Sequence, residues 1–174
     1  MYMEKVKVKI KGIAPLLMHK YNFNNNEEKA KRKDEQYSVE KDAEKALYFD
    51  KKIGCYVPST WVEACLRQTA CDFKQGKKTY KNTILSSVFC DQEKIPLNKK
   101  TYDEIDVRAV VIQRNRIVKG RPKFNTWQIE FVLNYDETRI NKEILKQILV
   151  EAGATKGIGD YRPKFGRFTV VTFK

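Results

Sequence analysis

Residues 4–13 alternate strictly, with Val6, Val8 and Ile10 on one side and Lys5, Lys7, Lys9 and Lys11 on the other. A period of two is that of a half-buried strand, here with an outward face of lysines. Trp127, Ile129, Phe131, Leu133 and Tyr135 alternate in the same way with Gln128, Glu130 and Asn134 and predict a second such strand. The β-branched run Val107 to Val118, punctuated by Arg108, Arg114 and Arg116, predicts one long strand over 106–118, and Arg167–Phe173 a terminal strand. Helical spacing appears twice. Val62, Leu66 and Phe73, helped by Cys65 and Thr69, recur after Pro58-Ser59-Thr60, where Thr60 and Glu63 fit a capping box. Asn141 starts a helix in which Ile144, Leu145, Ile148, Leu149 and Ala152 form one stripe, and Gly153 is placed to close it. Smaller elements are a hairpin from Tyr48-Phe49 to Cys55-Tyr56-Val57 and a short helical stretch within 80–87.

In order, the major elements read β-α-β-β-α-β. This predicts an α+β class and, within it, a ferredoxin-like sandwich whose two long helices cover one face of a four-stranded antiparallel sheet. The 174 residues fit one domain, 1–174, with a core of ordinary size. Residues 22–46 are rich in Asn, Lys, Glu and Asp and read as a charged insertion after the first strand, either a loop or a solvated helix. Residues 119–125, Lys-Gly-Arg-Pro-Lys-Phe-Asn, read as a short turn-rich link between the second and third strands.

Charge sharpens this picture. Thirty-five Lys and Arg against 22 Asp and Glu give a net +13 and a pI near 9.5. Such an imbalance costs self-repulsion and points to a polyanion: nucleic acid, an anionic membrane surface or an acidic protein. No run approaches the roughly 18 apolar residues of a membrane span, and the alternating N-terminus lacks the apolar core of a signal peptide. The expected setting is cytoplasmic, without a membrane partner. Cys55, Cys65, Cys71 and Cys90 contain no C-x-x-C pair, and His19 is the only histidine. The cysteines therefore read as small buried hydrophobes, with no structural zinc and no disulfide framework. No cofactor is expected. Asp50, Asp91, Asp103, Asp106 and Asp160 are scattered, without the paired spacing of a metal-dependent nuclease.

Three segments are candidates for holding a nucleic-acid strand. The lysine row, Lys7 and Lys9 at its centre, would lie on the sheet face opposite the helices, where it could meet phosphates or serve only as a solubilising surface. Arg114, Arg116, Lys119, Arg121 and Lys123 fall within ten residues, next to Phe124. Arginine binds phosphate bidentately and stacks on bases, and an aromatic beside it offers a platform. The third segment runs from Gly157 to Phe168. Gly157, Gly159 and Gly166 let a backbone come close and expose N–H groups to phosphate, Arg162, Lys164 and Arg167 add charge, and Tyr161 and Phe165 add stacking surface. It is not a P-loop, because no G-x-x-x-x-G-K-[ST] occurs and a strand follows. Within this loop Asp160 reads as a turn-former.

A ferredoxin-like unit with a glycine-rich loop just before its last strand resembles the RAMP superfamily of CRISPR RNA-binding proteins. Gly157-Ile158-Gly159 and Gly166-Arg167-Phe168 match that loop in position and order. The resemblance implies contact with RNA backbone through the loop, as a CRISPR subunit or as a stand-alone or virus-encoded relative. The favoured expectation is a non-enzymatic binder of single-stranded RNA, or of DNA, which could polymerise along the strand or join CRISPR-type proteins. The alternatives are a metal-independent RNA endonuclease using His19, which has no partner evident in the sequence, and an interaction-only decoy or scaffold protein.

Overall fold

The computed structural model describes residues 3–21, 38–112 and 114–174, so most of the 22–46 insertion lies outside the described residues. Its centre is a four-stranded antiparallel sheet. The strands β1 (Met3–Gly12), β7 (Val88–Cys90), β11 (Gln128–Asp136) and β12 (Phe168–Phe173) lie in the order β12-β1-β11-β7. The two strands read most clearly from alternation, β1 and β11, are the central pair, registered from Met3↔Asp136 to Lys11↔Gln128. That register puts Val6, Val8 and Ile10 beside Leu133, Phe131 and Ile129, all buried. Helices α2 (Ser59–Thr69) and α4 (Lys142–Thr155) cover this face and bury Val62 and Leu66, and Leu145, Ile148 and Leu149, in one core.

Asn141 caps α4 as expected, its side chain accepting from the Ile144 N–H at 2.9 Å. Gly153 does not end the helix. It lies inside the last turn, where Phe168 of β12 packs so closely that a Cβ would meet the ring 2.6 Å away. The capping box at Thr60 is absent: Pro58 is the N-cap, without a side-chain bond. Glu63 accepts instead from the Cys90 N–H at 3.0 Å, tying α2 to β7. Phe73 lies beyond the end of α2.

The structure corrects the second strand. Its place in the central sheet is taken by the three residues of β7, which follow the short helix α3 (Lys81–Ser87). The run at 106–118 is the bend of a long hairpin, β9 (Glu104–Ile112) and β10 (Asn115–Phe124), in a separate sheet of order β2-β10-β9 with β2 (Leu16–Leu17). The link expected at 119–125 is thus mostly strand. The hairpin's register runs from Asn115↔Ile112 to Lys123↔Glu104. Arg114 lies near the bend with φ of 70°, without help from glycine or proline; in sequence the turn is marked by Asn115 alone, between β-branched stretches on either side.

A further helix, α1 (Val39–Ala46), capped by Ser38, lies across β10. Gly120 makes room for it, since a Cβ there would stand 2.7 Å from Val39 Cγ1. Ala43 and Ala46 are buried, so this part of the charged insertion is an amphipathic helix with a packed face. β3 (Phe49–Asp50) and β4 (Gly54–Pro58) form the expected small hairpin, which β8 (Lys94–Pro96) extends. β5 (Lys74–Gln75) and β6 (Lys78–Thr79) make a short ribbon. Among the described residues no helix is long and apolar enough to cross a membrane.

Candidate nucleic-acid interface

The cross-strand register decides which hairpin side chains share a face. Arg121 pairs with Asp106, Lys119 with Arg108 and Lys123 with Glu104, so these six lie on one face, while Arg116 lies with Val107, Val111 and Val118 on the other. Lys123 is taken by Glu104 at 2.8 Å, and Lys119 by Asp42 of α1 at 3.0 Å. Arg108 forms a fork onto Asp106, with Nε and Nη2 donating at 2.5 and 2.9 Å. Arg121 Nε donates to Asp160 Oδ2 at 2.5 Å. Asp160 is therefore the acidic anchor of the hairpin as well as a turn residue.

The same face meets the glycine-rich loop through its aromatics. The Tyr161 ring has the Arg121 guanidinium 4.8 Å from its centroid and that of Arg108 at 5.0 Å. Arg108 is also 5.0 Å from the Phe165 centroid. Two arginines, two aromatics and two aspartates thus join hairpin to loop in one seam. Arg121 is 8 % exposed, and its Nη1 is buried without a hydrogen-bond partner among the described residues. Arg108 and Asp106 were not among the expected site residues. The signal for them is the Asp-x-Arg spacing, which becomes legible only when the strand is known to be half of a hairpin facing Arg121.

The loop itself differs from the expected phosphate cradle. Gly157, Gly159 and Gly166 have φ of 72°, 85° and 74°, in the left-handed region that glycine tolerates. The backbone is turned inward: the N–H groups of Ile158, Asp160 and Gly166 donate to the carbonyls of Gly166, Leu17 and Pro15 at 2.9, 3.0 and 2.8 Å. The Gly157 N–H is likewise taken, by Ala152 O. These glycines let the loop dock on residues 15–17. Phe165 is buried in the seam and Phe168 in the core, which removes both as exposed stacking surfaces. Tyr161, Arg162, Lys164 and Arg167 remain exposed, as do Arg114 and Arg116 on the hairpin.

His19 lies on the exposed segment after β2, at the edge of the same seam. Its pKa is held below the ordinary 6.5, first by desolvation and next by the Arg121 guanidinium; Lys119 acts in the same direction, while Asp160 and Asp42 oppose it. The structure therefore supplies the charged neighbours that the sequence did not reveal.

The lysine row is exposed on the sheet face away from the helices, with Lys9 partly covered. Two of its members are occupied: Lys9 pairs with Glu130 at 2.8 Å and Lys5 approaches Asp91 at 3.5 Å. Glu130 on β11 and Asp91, just after β7, thus offset part of the repulsion expected along the row.

No protein-family model matches the chain, and no curated protein does. Among solved structures, a chain of the Type III-B Cmr-beta complex, described as bound to cognate target RNA, superposes with a TM-score of 0.63. The match has 10% sequence identity and covers 99% of this chain and 60% of that one. The chain therefore shares an α+β fold with part of a CRISPR complex subunit and spans 60% of that subunit's length.

Proposed function

We propose that this protein binds single-stranded RNA along the β9–β10 hairpin and the exposed edge of the 157–168 loop, as a member of a CRISPR-type assembly or a relative of its subunits. The carrying observation is the seam. Arg108, Arg121, Asp106 and Asp160 hold hairpin and loop together around Tyr161, while Arg114, Arg116, Arg162, Lys164 and Arg167 stay exposed. Exposed cations on a braced scaffold can exchange counterions for phosphates without first breaking internal ion pairs. The sheet order β12-β1-β11-β7, with α2 packed on one face after β1 and α4 on the same face between β11 and β12, supports a ferredoxin-like unit of the RAMP kind. The Cmr-beta match, a complex bound to target RNA, supports RNA over DNA and CRISPR-type protein partners.

The test compares exposed with occupied cations. Arg162→Ala and Arg116→Ala should each weaken binding to every RNA sequence and reduce the slope of log affinity against log salt by about 0.7. Lys123→Ala, whose charge Glu104 already holds, should leave the slope nearly unchanged. Equal effects of all three, or none from the exposed pair, would contradict this placement of the strand.

A second reading, a metal-independent RNA endonuclease, is favoured by one observation: His19 stands in the field of Arg121, Lys119, Asp160 and Asp42. A lowered pKa keeps the imidazole neutral near pH 7, able to take a proton from a 2′-hydroxyl while the cations face the phosphate. Cleavage of RNA in chelator by the wild type, abolished in His19→Ala, would establish this reading over pure binding.

A further inference from the structure

A groove of about 560 Å³ opens beside the loop, where the C-terminal ends of α2 and α4 come together. Gln68 of α2, Thr155 and Lys156 at the end of α4, and Asp160, Tyr161 and Arg162 of the loop line it. Tyr161 has φ of 56°, a backbone conformation that aromatic residues rarely adopt. Such strain persists where surrounding contacts impose it, and it concentrates at ligand sites. Here the imposed conformation makes one ring serve two places, the arginine seam and the groove wall.

From this we infer that the groove receives one nucleobase turned out of the bound strand and favours bases that carry an exocyclic amino group. The inference rests on the RNA-binding reading and adds a specificity to it. The size is ample for a base, and the Tyr161 ring supplies an edge or face against which it packs. The polar lining is rich in acceptors. Gln68 presents Oε1, which already accepts from Arg162 Nη1 at 3.3 Å, and Asp160 contributes a carboxylate of which only one oxygen is bonded to Arg121. Thr155, the last residue of α4, lines the groove with a carbonyl that the helix itself leaves without an amide donor, whereas Ala152 O is taken by the N–H groups of Lys156 and Gly157. Adenine, cytosine and guanine bring N–H₂ donors to such a wall, whereas uracil brings a carbonyl in the corresponding place and would leave acceptors facing an acceptor. The two lining cations are engaged with acceptors, Lys156 with Asp72 at 3.1 Å and Arg162 with Gln68 at 3.3 Å, so they offset but do not replace the acceptor wall.

The experiment uses labelled oligo-C and oligo-U of equal length at one salt concentration, since these pyrimidines differ in the amino or keto group at position 4. The wild type should bind oligo-C about tenfold more tightly, the equivalent of one well-made polar contact. Gln68 is exposed at the end of α2, so its replacement leaves the core intact. Gln68→Ala removes an acceptor and Gln68→Trp fills the groove; both should bring the oligo-C to oligo-U ratio to about one while oligo-U binding stays as in the wild type. Equal binding of the two oligonucleotides by the wild type, or a ratio that survives both variants, overturns the inference and leaves RNA binding standing. Failure to bind either one at low salt overturns the RNA reading, and this inference with it.

Discussion

Arg121 and Asp160, 39 residues apart in the chain, meet in a 2.5 Å charge-assisted hydrogen bond at the junction of the hairpin and the glycine-rich loop. One partner is almost fully buried and the other is about one-third exposed, with side-chain accessibilities of 9% and 34%. The pair thus fixes the direction in which the hairpin leaves the body of the protein, and with it the line of exposed cations that the strand would follow.

Removing either end of this pair should loosen the hairpin. Asp160→Asn leaves a buried guanidinium without its counter-charge, and a loss of about 1–3 kcal/mol is expected, the cost of an unmade hydrogen bond to a charged group. Urea unfolding measures it. A midpoint equal to the wild type's would show that the seam contributes nothing to stability.

The core prediction concerns α4. Leu145 and Ile148 are fully buried beneath the sheet, and each truncation to Ala should cost about 2–5 kcal/mol through lost burial and a residual cavity. Thermal melting of Leu145→Ala and Ile148→Ala checks this, and unchanged melting of either would contradict the packing of α4.

Gly159 tests the loop. Its φ of 85° and its approach to residue 17, where a Cβ would stand 2.6 Å from the Leu17 carbonyl oxygen, leave no room for a side chain. Gly159→Val should therefore destabilise the protein by more than about 1 kcal/mol. Any loss of RNA binding would follow from displacement of Tyr161 and Arg162, and not from a blocked phosphate contact. A variant that melts like the wild type would show that the loop is free to move off residues 15–17.

How much of this was legible in the sequence follows from the period of each element. Val6-Val8-Ile10 and Ile129-Phe131-Leu133 alternate over full strands with one buried face, so β1 and β11 were readable with their partnership. Three-residue β7 carries no period at all. The hairpin was hidden because β-branched residues flank its bend on both sides and the bend near Arg114 has no glycine or proline; Asn115 is the one turn-favouring residue there, too weak a signal to divide the run. The 157–168 loop stood out by composition, but its glycines answer to packing on Leu17 and Pro15, which composition does not reveal. The seam depends on residues 108, 121 and 161 meeting across three segments, a relationship that exists only once the register is known.

His19 gives a prediction in pH. Its folded pKa lies below 6.5, so in the window beneath that value the unfolded chain binds the proton more readily, and stability rises with pH there. The folded state should lose stability through this group as pH falls below about 6.5. His19→Gln cannot bind that proton, so its melting temperature should fall less than the wild type's between pH 7 and pH 5. Carboxylates such as Asp103 and Glu104, held low by Lys99 and Lys123, titrate in both proteins and cancel in the comparison. Parallel curves would mean that His19 is solvated as in the unfolded chain.

The central claim, that exposed cations on a braced hairpin and loop hold a single RNA strand, is tested most directly by titrating a labelled, unstructured RNA oligonucleotide with the wild-type protein at a series of salt concentrations. Affinity should be high at low salt and fall steeply and linearly on logarithmic axes, each phosphate contact contributing about 0.7 to the slope. Absence of binding at low salt, or an affinity indifferent to salt, would contradict it.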